Sequence, residues 1–511
     1  MILITSAKYL PVEFQIELGK LPPAFLPIGN KRLYEYQIEL FNSLNEKIIL
    51  SLPKSFDLDQ ADKDRLKELK VNVIFVPDDI GLGESIVYCL NMLMPLNENI
   101  RILHGDTYFN KLNFIGNSLT VSQVQNNYDW GFLNKDYKSN NNFAYNDSTI
   151  LCGYFELDKP YHLIKSIIKS DFSYTNGLKL YSEDNPFTII ENNSWIDLGL
   201  VASYFKFKKN ITTQRAFNEL KIENGYFIKS SDMSLKIEGE INWFKNFPSK
   251  LDLNLPRFVG LNLNSYKTEY LYLNTLSELF VFGKLPNFIW KKIFNNLSDF
   301  LTQLHAYKSD NPSKFNFLEK TLYRLQDFII DKDFDMKSLW KFEDIEISLE
   351  KMLEDINLAI KPNTANSFIH GDFCFSNIMY DFKTEDIKTF DPRGIDFGGN
   401  ITPFGDARYD YAKLFHSCIG LYDFIIAGFC ECKIMDNSIN FHIKTPNSID
   451  LIQNEFFNTF CINNKKEFYA ITIHLFLSML PLHGDNKTRQ MALFANAFRL
   501  YRDFLNLRSQ I

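Results

Sequence analysis

Apolar positions along the first 110 residues fall into short runs separated by amphipathic stretches. Residues 1–5 (MILIT) are almost wholly apolar and predict a buried strand. Arg32–Leu44 carries its apolar residues at helical spacing. Residues 47–53 (KIILSLP) form another β-rich run, and Asp62–Leu69 reads as a short charged helix. The strand-like VNVIFVP (71–77), the helix Glu84–Met94 and the strand-like IRILHGD (100–106) complete the series. Strands alternating with helices in this order predict a parallel sheet with helices on both faces. Residues 126–146 are rich in Asn, Asp and Tyr and lack a period, which predicts an insertion or exposed hairpin.

The pattern changes after Lys208. Residues 223–280 read as short strands with one helix over Glu238–Phe247, and 286–359 as mostly helical. Residues 366–397 return to strand and loop, and 404–511 are largely helical again. A small mixed lobe followed by a large helical lobe is the expected outcome. No internal repeat is visible.

Composition narrows the function classes. The chain has 511 residues, enough for two to four domains, and its 45% hydrophobic and 15% aromatic content supports several cores. Lys plus Arg total 55 against 62 Asp plus Glu, a net charge of −7. That excludes nucleic acid or anionic lipid as a partner held by bulk charge. No apolar run reaches the ~18 residues of a membrane span; the nearest, around Leu421–Phe429, is too short. The N-terminal residues lack the basic and apolar regions of a signal peptide. Seven Cys (89, 152, 374, 418, 430, 432 and 461) follow no framework spacing, so reduced thiols and a cytoplasmic location are expected.

The densest chemical signal is FIHGDFCFSNIMYDFKTEDIKTFDPRG, residues 368–394. It places Asp372 and Asn377 on a loop between apolar runs, and Asp391 at the end of a strand-like run. Phosphoryl transfer needs a carboxylate to orient and accept the proton of the attacking hydroxyl. It also needs an amide oxygen and a second carboxylate to hold Mg²⁺ against the ATP phosphates. Together with GDARYDYAKL at 405–414, this segment resembles the aminoglycoside phosphotransferase/choline kinase family, a relative of the protein kinase fold. The resemblance implies Asp372 as catalytic base, Asn377 and Asp391 as Mg²⁺ ligands, and Asp406 and Asp410 as braces of the catalytic loop or the following helix. It implies a structural role for His370. Asp396, in the literal Asp-Phe-Gly of residues 396–398, is the alternative to Asp391. Upstream, YFIKSSDMSLKIEGEINWF offers Lys229 on an apolar run and Glu240 on a helix as the nucleotide-binding pair, with Lys236 as the rival lysine. EYLYLNT (269–275) resembles the segment that meets adenine. FLTQLHAY (300–307) resembles a helix ending in Leu-His, with His305 a packed residue.

The first half carries a second resemblance. FLPIGNKRLYEYQIELF (25–41), IGLGESIVYCL (80–90), LHGDTYF (103–109) and NSWIDLGLVASYFKF (193–207) resemble, in family order, segments of the sugar nucleotidyltransferases. The resemblance implies that Asp106 and Asp197 bridge Mg²⁺ onto an NTP α-phosphate and the attacking phosphate. One departure stands out: the family's Gly-rich loop and its Arg are missing from LITSAKYLPVEFQIELGKLPPAFLPI, and Pro23 falls where a Lys belongs. Lys20 or Lys8, and backbone amides around Thr5–Ala7, are the available substitutes.

The chain is therefore expected to join an α/β nucleotidyltransferase-like, Rossmann-like domain (1–222) to an α+β protein-kinase-like phosphotransferase domain (223–511), with an N-lobe over about 223–282 and a C-lobe over about 283–511. The implied activity is phosphorylation of a sugar or small alcohol by ATP, followed by coupling to a second NTP, with Mg²⁺. The product would be an NDP-sugar or CDP-alcohol for surface polysaccharide synthesis. The alternative is a kinase with a degenerate first domain that binds substrate or acts as a scaffold. No nucleic acid partner and no membrane insertion are expected.

Overall fold

The computed structural model describes residues 1–96, 99–124, 128, 130–144, 146–210, 219–231, 234–262, 265–313, 315–332, 334–460 and 464–507. Two compact units result. One comprises Met1–Ile211 with Phe282–Lys284, the other Thr212–Val281 with Leu285–Ile511.

The first unit is an α/β sandwich around a seven-stranded sheet. Its order is 188–191, 118–123, 149–157, 100–104, 2–5, 48–53, 71–76. The four strands legible in the first 110 residues are mutually parallel, Ile2–Thr5 lying between Ile48–Pro53 and Ile100–His104. The sheet as a whole is mixed, however. Thr149–Leu157 runs antiparallel to both of its neighbours, so the purely parallel sheet expected from the early pattern is corrected. The central strands are apolar on both faces because helices cover both. Leu3, Ile49 and Ile102 pack with Ile86 and Leu90 of the helix Leu82–Met92, all fully buried. Glu84 closes that helix by accepting from the Gly81 amide at 2.7 Å. Residues 126–146 include some that lie outside the described set; among the rest, no hairpin forms. Leu133 and Tyr137 are instead buried against the sheet, with Leu133 N donating to Thr149 O.

The second unit is α+β. A four-stranded antiparallel sheet (219–223, 226–230, 265–269, 258–262) is crossed by the helix Ser234–Asn246, which starts four residues before the sequence pattern suggested. The larger lobe is built on helices Asn287–His305, Phe317–Lys332, Arg408–Cys418, Lys465–Met479 and Lys487–Asn506. Tyr469–Ser478 are buried on every side, as a helix apolar all round must be. A second four-stranded sheet interrupts this lobe, formed by the hairpins 339–348 and 430–443. The alternation of Ile439, Phe441 and Ile443, buried, with exposed neighbours was its only signal.

His474 lies in this core, with Nδ1 donating to Thr321 Oγ1 at 3.1 Å. Burial pushes it down to about 3. An unfolded chain protonates the same imidazole near pH ~6.5, so the unfolded state binds more protons between those values. Stability is full above ~6.5 and falls as pH drops towards 3. The unfolding free energy from urea titrations is expected to fall by about 1 kcal/mol for the first pH unit below 6.5, with a shallower slope in His474→Gln. Identical slopes would remove His474 as a source of acid sensitivity.

Candidate active sites

In the first unit, Asp106 follows the strand Ile100–His104, next to the central strand. Gly105 is required there because an added Cβ would lie 2.7 Å from Thr5 O and 2.8 Å from Ser6 Cβ. Gln37, on the helix Leu33–Glu39, holds the turn, its Nε2 donating to His104 O (2.9 Å) and Thr107 O (2.8 Å). The strand Trp195–Asp197 pairs antiparallel with Thr107–Phe109 and sets Asp197 opposite Thr107. The next residue but one, Gly199, makes the geometry explicit. A point one bond from its Cα lies 2.8 Å from Asp106 Oδ2 and 3.1 Å from Asp197 Oδ1. Only a glycine leaves that point empty.

Burial, and then the Asp106 charge, push Asp197 up to about 7. The Gly199 amide opposes this by donating to Oδ1 at 2.8 Å. Two converging carboxylates with so little to offset their repulsion fit a divalent cation, which would restore Asp197 to the charged form. Among the described residues no cluster of three or more metal-ligating side chains occurs, so phosphate oxygens and water would complete the coordination.

The substitutes for the missing Gly-rich loop are largely committed elsewhere. Ser6 N donates to Ser51 Oγ (3.0 Å) and Ser6 Oγ accepts from Ala24 N (3.0 Å), tying the segment to the sheet and to the turn at Pro23. Thr5 lies in the ladder between two strands. Lys8 and Lys20 are exposed, with Lys20 lying 5.8 Å from the Tyr9 ring centre.

In the second unit, Lys229 sits on the strand Tyr226–Ser230 and Glu240 on the following helix, and both are buried. Lys229 Nζ donates to both Glu240 oxygens at 2.8 Å and also pairs with Asp391. Burial, and then Asp391, push Glu240 up to about 7, against the pull of Lys229. Burial would raise Asp391 too, but Lys229 and Lys236 overcome it and hold its carboxyl below the usual range. Lys236 is thus part of the cluster's field, from the helix rather than the strand. The helix approaches the Asp391 loop through two glycines: a Cβ on Gly394 would lie 2.0 Å from Gly239 O, and one on Gly239 2.5 Å from Ile395 Cγ2. Only that backbone contact lets Glu240 reach Lys229 beside Asp391. Asp391 itself has φ +58°, a conformation costly for a non-glycine residue and found where function fixes the backbone.

The loop carrying Asp372 is tied down from below. Asp410, fully buried, accepts from His370 N and Gly371 N (2.8 Å each) and contacts His305 Nε2 at 3.0 Å. His370 Nδ1 accepts from Asp372 N (3.3 Å) while Nε2 donates to Phe390 O (3.1 Å), so the ring is a neutral strut. Burial lowers its pKa accordingly. Asn377 Nδ2 donates to Asp372 O (2.9 Å) and Oδ2 (3.1 Å), leaving its amide oxygen to face elsewhere, as a cation ligand must. Asp406 pairs with Arg408 and accepts from Asn363 Nδ2 at 2.9 Å.

Asp396 is engaged in a turn of its own. It closes a turn with Asn400, accepting from its backbone N (2.8 Å) and Nδ2 (2.9 Å). Asp391→Asn is therefore expected to cut Mg²⁺-dependent ATP turnover by about 10²-fold, and Asp396→Asn to change it by less than about threefold. A dead Asp396 variant beside an active Asp391 variant would reverse the assignment.

Sequence reasoning missed Lys413. Its Nζ pairs with Asp372 Oδ1 at 2.8 Å from the helix Arg408–Cys418. Burial would lower this lysine's pKa, but the Asp372 charge more than offsets that and holds it up. The only signal was its spacing, three residues after Asp410 on one helix. Asp485 and Arg489, near the C-terminus, form a surface ion pair at 2.6 Å. Phe456 and Phe476 are buried core residues. Of the cysteines, the six described are free thiols, and Cys461 lies outside the described residues.

No family model matches the chain. A curated relative, the bifunctional sugar-1-phosphate nucleotidylyltransferase/acetyltransferase of Sulfurisphaera tokodaii, is 27% identical over 197 residues, covering 35% of this chain. The chain spans about half (47%) of that relative's length. Similar solved structures include the inositol-1-phosphate CTP transferase of T. maritima (17% identity, TM-score 0.29, 40% of this chain and 90% of that one). They also include the GDP complex of aminoglycoside 2'-phosphotransferase-IIIa (14%, 0.36, 57% and 90%) and a choline/ethanolamine kinase family protein of Mesorhizobium loti (9%, 0.34, 60% and 96%). Among the described residues no helix is long and apolar enough to cross a membrane.

Proposed function

We propose that the chain is a bifunctional transferase: its second unit phosphorylates a hydroxyl of a sugar or small alcohol with ATP, and its first couples such a phosphate to an NTP, releasing pyrophosphate. The product class, an NDP-sugar or CDP-alcohol, suits surface polysaccharide synthesis. The observation that carries the reading is the assembly in the second unit of Lys229, Glu240 and Asp391 with the braced pair Asp372 and Asn377.

In the second unit, Lys229 would bind the α- and β-phosphates, held in place by Glu240. Asp372, its second oxygen fixed by Lys413, would orient the acceptor hydroxyl and take its proton as the O–P bond forms. Asp391 and the Asn377 amide oxygen are the groups suited to Mg²⁺, which when bound offsets phosphate charge. In the first unit, Asp106 and Asp197 suit a second Mg²⁺ that would draw the α-phosphate and the attacking phosphate together.

The engaged Ser6 amide favours one rival reading, in which only the second unit is catalytic. Incubation of the full chain with a panel of sugars and amino alcohols plus ATP, then with CTP, UTP, GTP or dTTP, tests both readings by mass spectrometry. A phosphorylated acceptor without any pyrophosphate supports the kinase-only reading; no phosphorylated acceptor in the whole panel counts against both.

A further inference from the structure

A cationic cluster adjoins Asp372, and the chemistry described so far does not use it. The helix Phe317–Lys332 carries Lys320 and Arg324, four residues apart and hence on one face. Lys320 is buried, its Nζ donating to the Tyr409 hydroxyl at 2.7 Å and lying 4.6 Å from the ring centre. Arg393, two residues after Asp391, donates from Nη1 to the same hydroxyl at 3.0 Å and covers the Tyr409 ring at 5.1 Å. Arg393 also backs the loop of Asp372, since an added Cβ on Gly371 would lie 2.8 Å from Arg393 Cβ. Tyr409 precedes Lys413 by one helical turn, about 6 Å along the axis, and Lys413 grips Asp372.

Lys320 and Arg393 thus meet at the Tyr409 hydroxyl beside the phosphoryl acceptor position, with Arg324 one turn further along the Lys320 face. Burial would raise that hydroxyl, but Arg393 and Lys320 overcome it and push it down to about 6. Among the described residues, none of Lys320, Arg324 and Arg393 has a carboxylate within salt-bridge distance. The nearby acids are committed: Asp372 to Lys413 and Asn377, Asp410 to the loop amides, Asp406 to Arg408, and Asp396 to Asn400. Like charges four apart on a helix repel, and a single phenolate on Tyr409 does not offset all the basic groups around it. Arg324, whose Nη1 also donates to Ser478 O at 3.4 Å, and Arg393 both keep part of their surface exposed and within reach of a ligand, whereas Lys320 and Tyr409 are buried.

We infer that Arg324 and Arg393, over Lys320 and Tyr409, form an anion subsite of the acceptor pocket, so that the acceptor is an anionic sugar or polyol bearing a phosphate or carboxylate group. This rests on the kinase reading for its place in the reaction, though not for the binding of the anion. An acceptor that enters already phosphorylated would leave as a bisphosphate, and one carrying a carboxylate as a phosphorylated acid.

Calorimetric titration of the full chain, without ATP, with glucose 6-phosphate, glucuronate, glucose and glucosamine tests the inference independently of catalysis. The two anions are expected to bind and the neutral and cationic sugars not; phosphate and carboxylate are separated by which anion binds more tightly. Arg324→Gln should weaken the anions by about tenfold or more, the worth of a charge-assisted contact, and Arg324→Lys should restore most of the loss. Arg324 is partly exposed, and an unchanged melting temperature would show that Arg324→Gln folds. Equal anion binding by wild type and Arg324→Gln, or preference for glucosamine, overturns the subsite. Anion binding without ATP turnover would instead remove the kinase reading and leave the subsite standing. Where turnover is measurable, Arg324→Gln should raise KM for the anionic acceptor but not for ATP. A rise confined to ATP would assign the cluster to the nucleotide and overturn the inference.

Discussion

Asp372→Asn is expected to fold normally and to lose acceptor phosphorylation by about 10²–10⁴-fold, the range for removing a general base. The substitution keeps an oxygen facing Lys413, so that buried lysine loses a charge partner but not its hydrogen bond. Asn377 Nδ2 also keeps its bond to the residue-372 carbonyl at 2.9 Å. What disappears is the basic carboxylate oxygen. ATP binding, which the proposed function gives to Lys229 and Glu240, should persist, so the loss should fall on kcat rather than on KM for ATP. ADP release followed in the presence of a turned-over acceptor measures it. Full activity in Asp372→Asn would mean that the base lies elsewhere.

Asp106→Asn is expected to cut pyrophosphate release by about 10²–10³-fold while leaving acceptor phosphorylation unchanged. The selectivity follows from the two units each holding a complete acidic pair. Losing the Asp106 charge also relieves Asp197, which burial and Asp106 together push up to about 7. Melting temperature measured with and without Mg²⁺ adds a readout beyond activity: the wild type should gain from the metal at pH 8, and the variant should gain less. If Asp106→Asn releases pyrophosphate at the wild-type rate, the first unit's assigned site is wrong.

How much of each site was legible depended on sequence distance. Asp372, Asn377 and Asp391 lie within twenty residues and announce themselves through the loop and strand between them. Lys229 and Glu240 were legible as a strand lysine and a helical acid, but their pairing with Asp391, 162 residues from Lys229, was not. The contact that brings them together runs through Gly239 and Gly394, and a glycine chosen for close backbone approach looks in sequence like any other. Likewise Gln37 reads as part of a helix, yet its amide fixes the turn of Asp106 across 67 to 70 residues.

The sequence by itself determined the alternation of strands and helices in the first 110 residues, the parallel heart of the first sheet and the change of pattern between the two halves, and it put forward the acidic residues proposed for both centres. These rest on period, short spacing and turn chemistry, which are local. Only the tertiary structure decided that Thr149–Leu157 runs antiparallel, that Asp391 rather than Asp396 meets Lys229, that Lys413 holds Asp372, and that Lys320 and Arg393 meet at Tyr409. Each depends on groups far apart in the chain, where packing and electrostatics choose the partner and no local pattern records the choice.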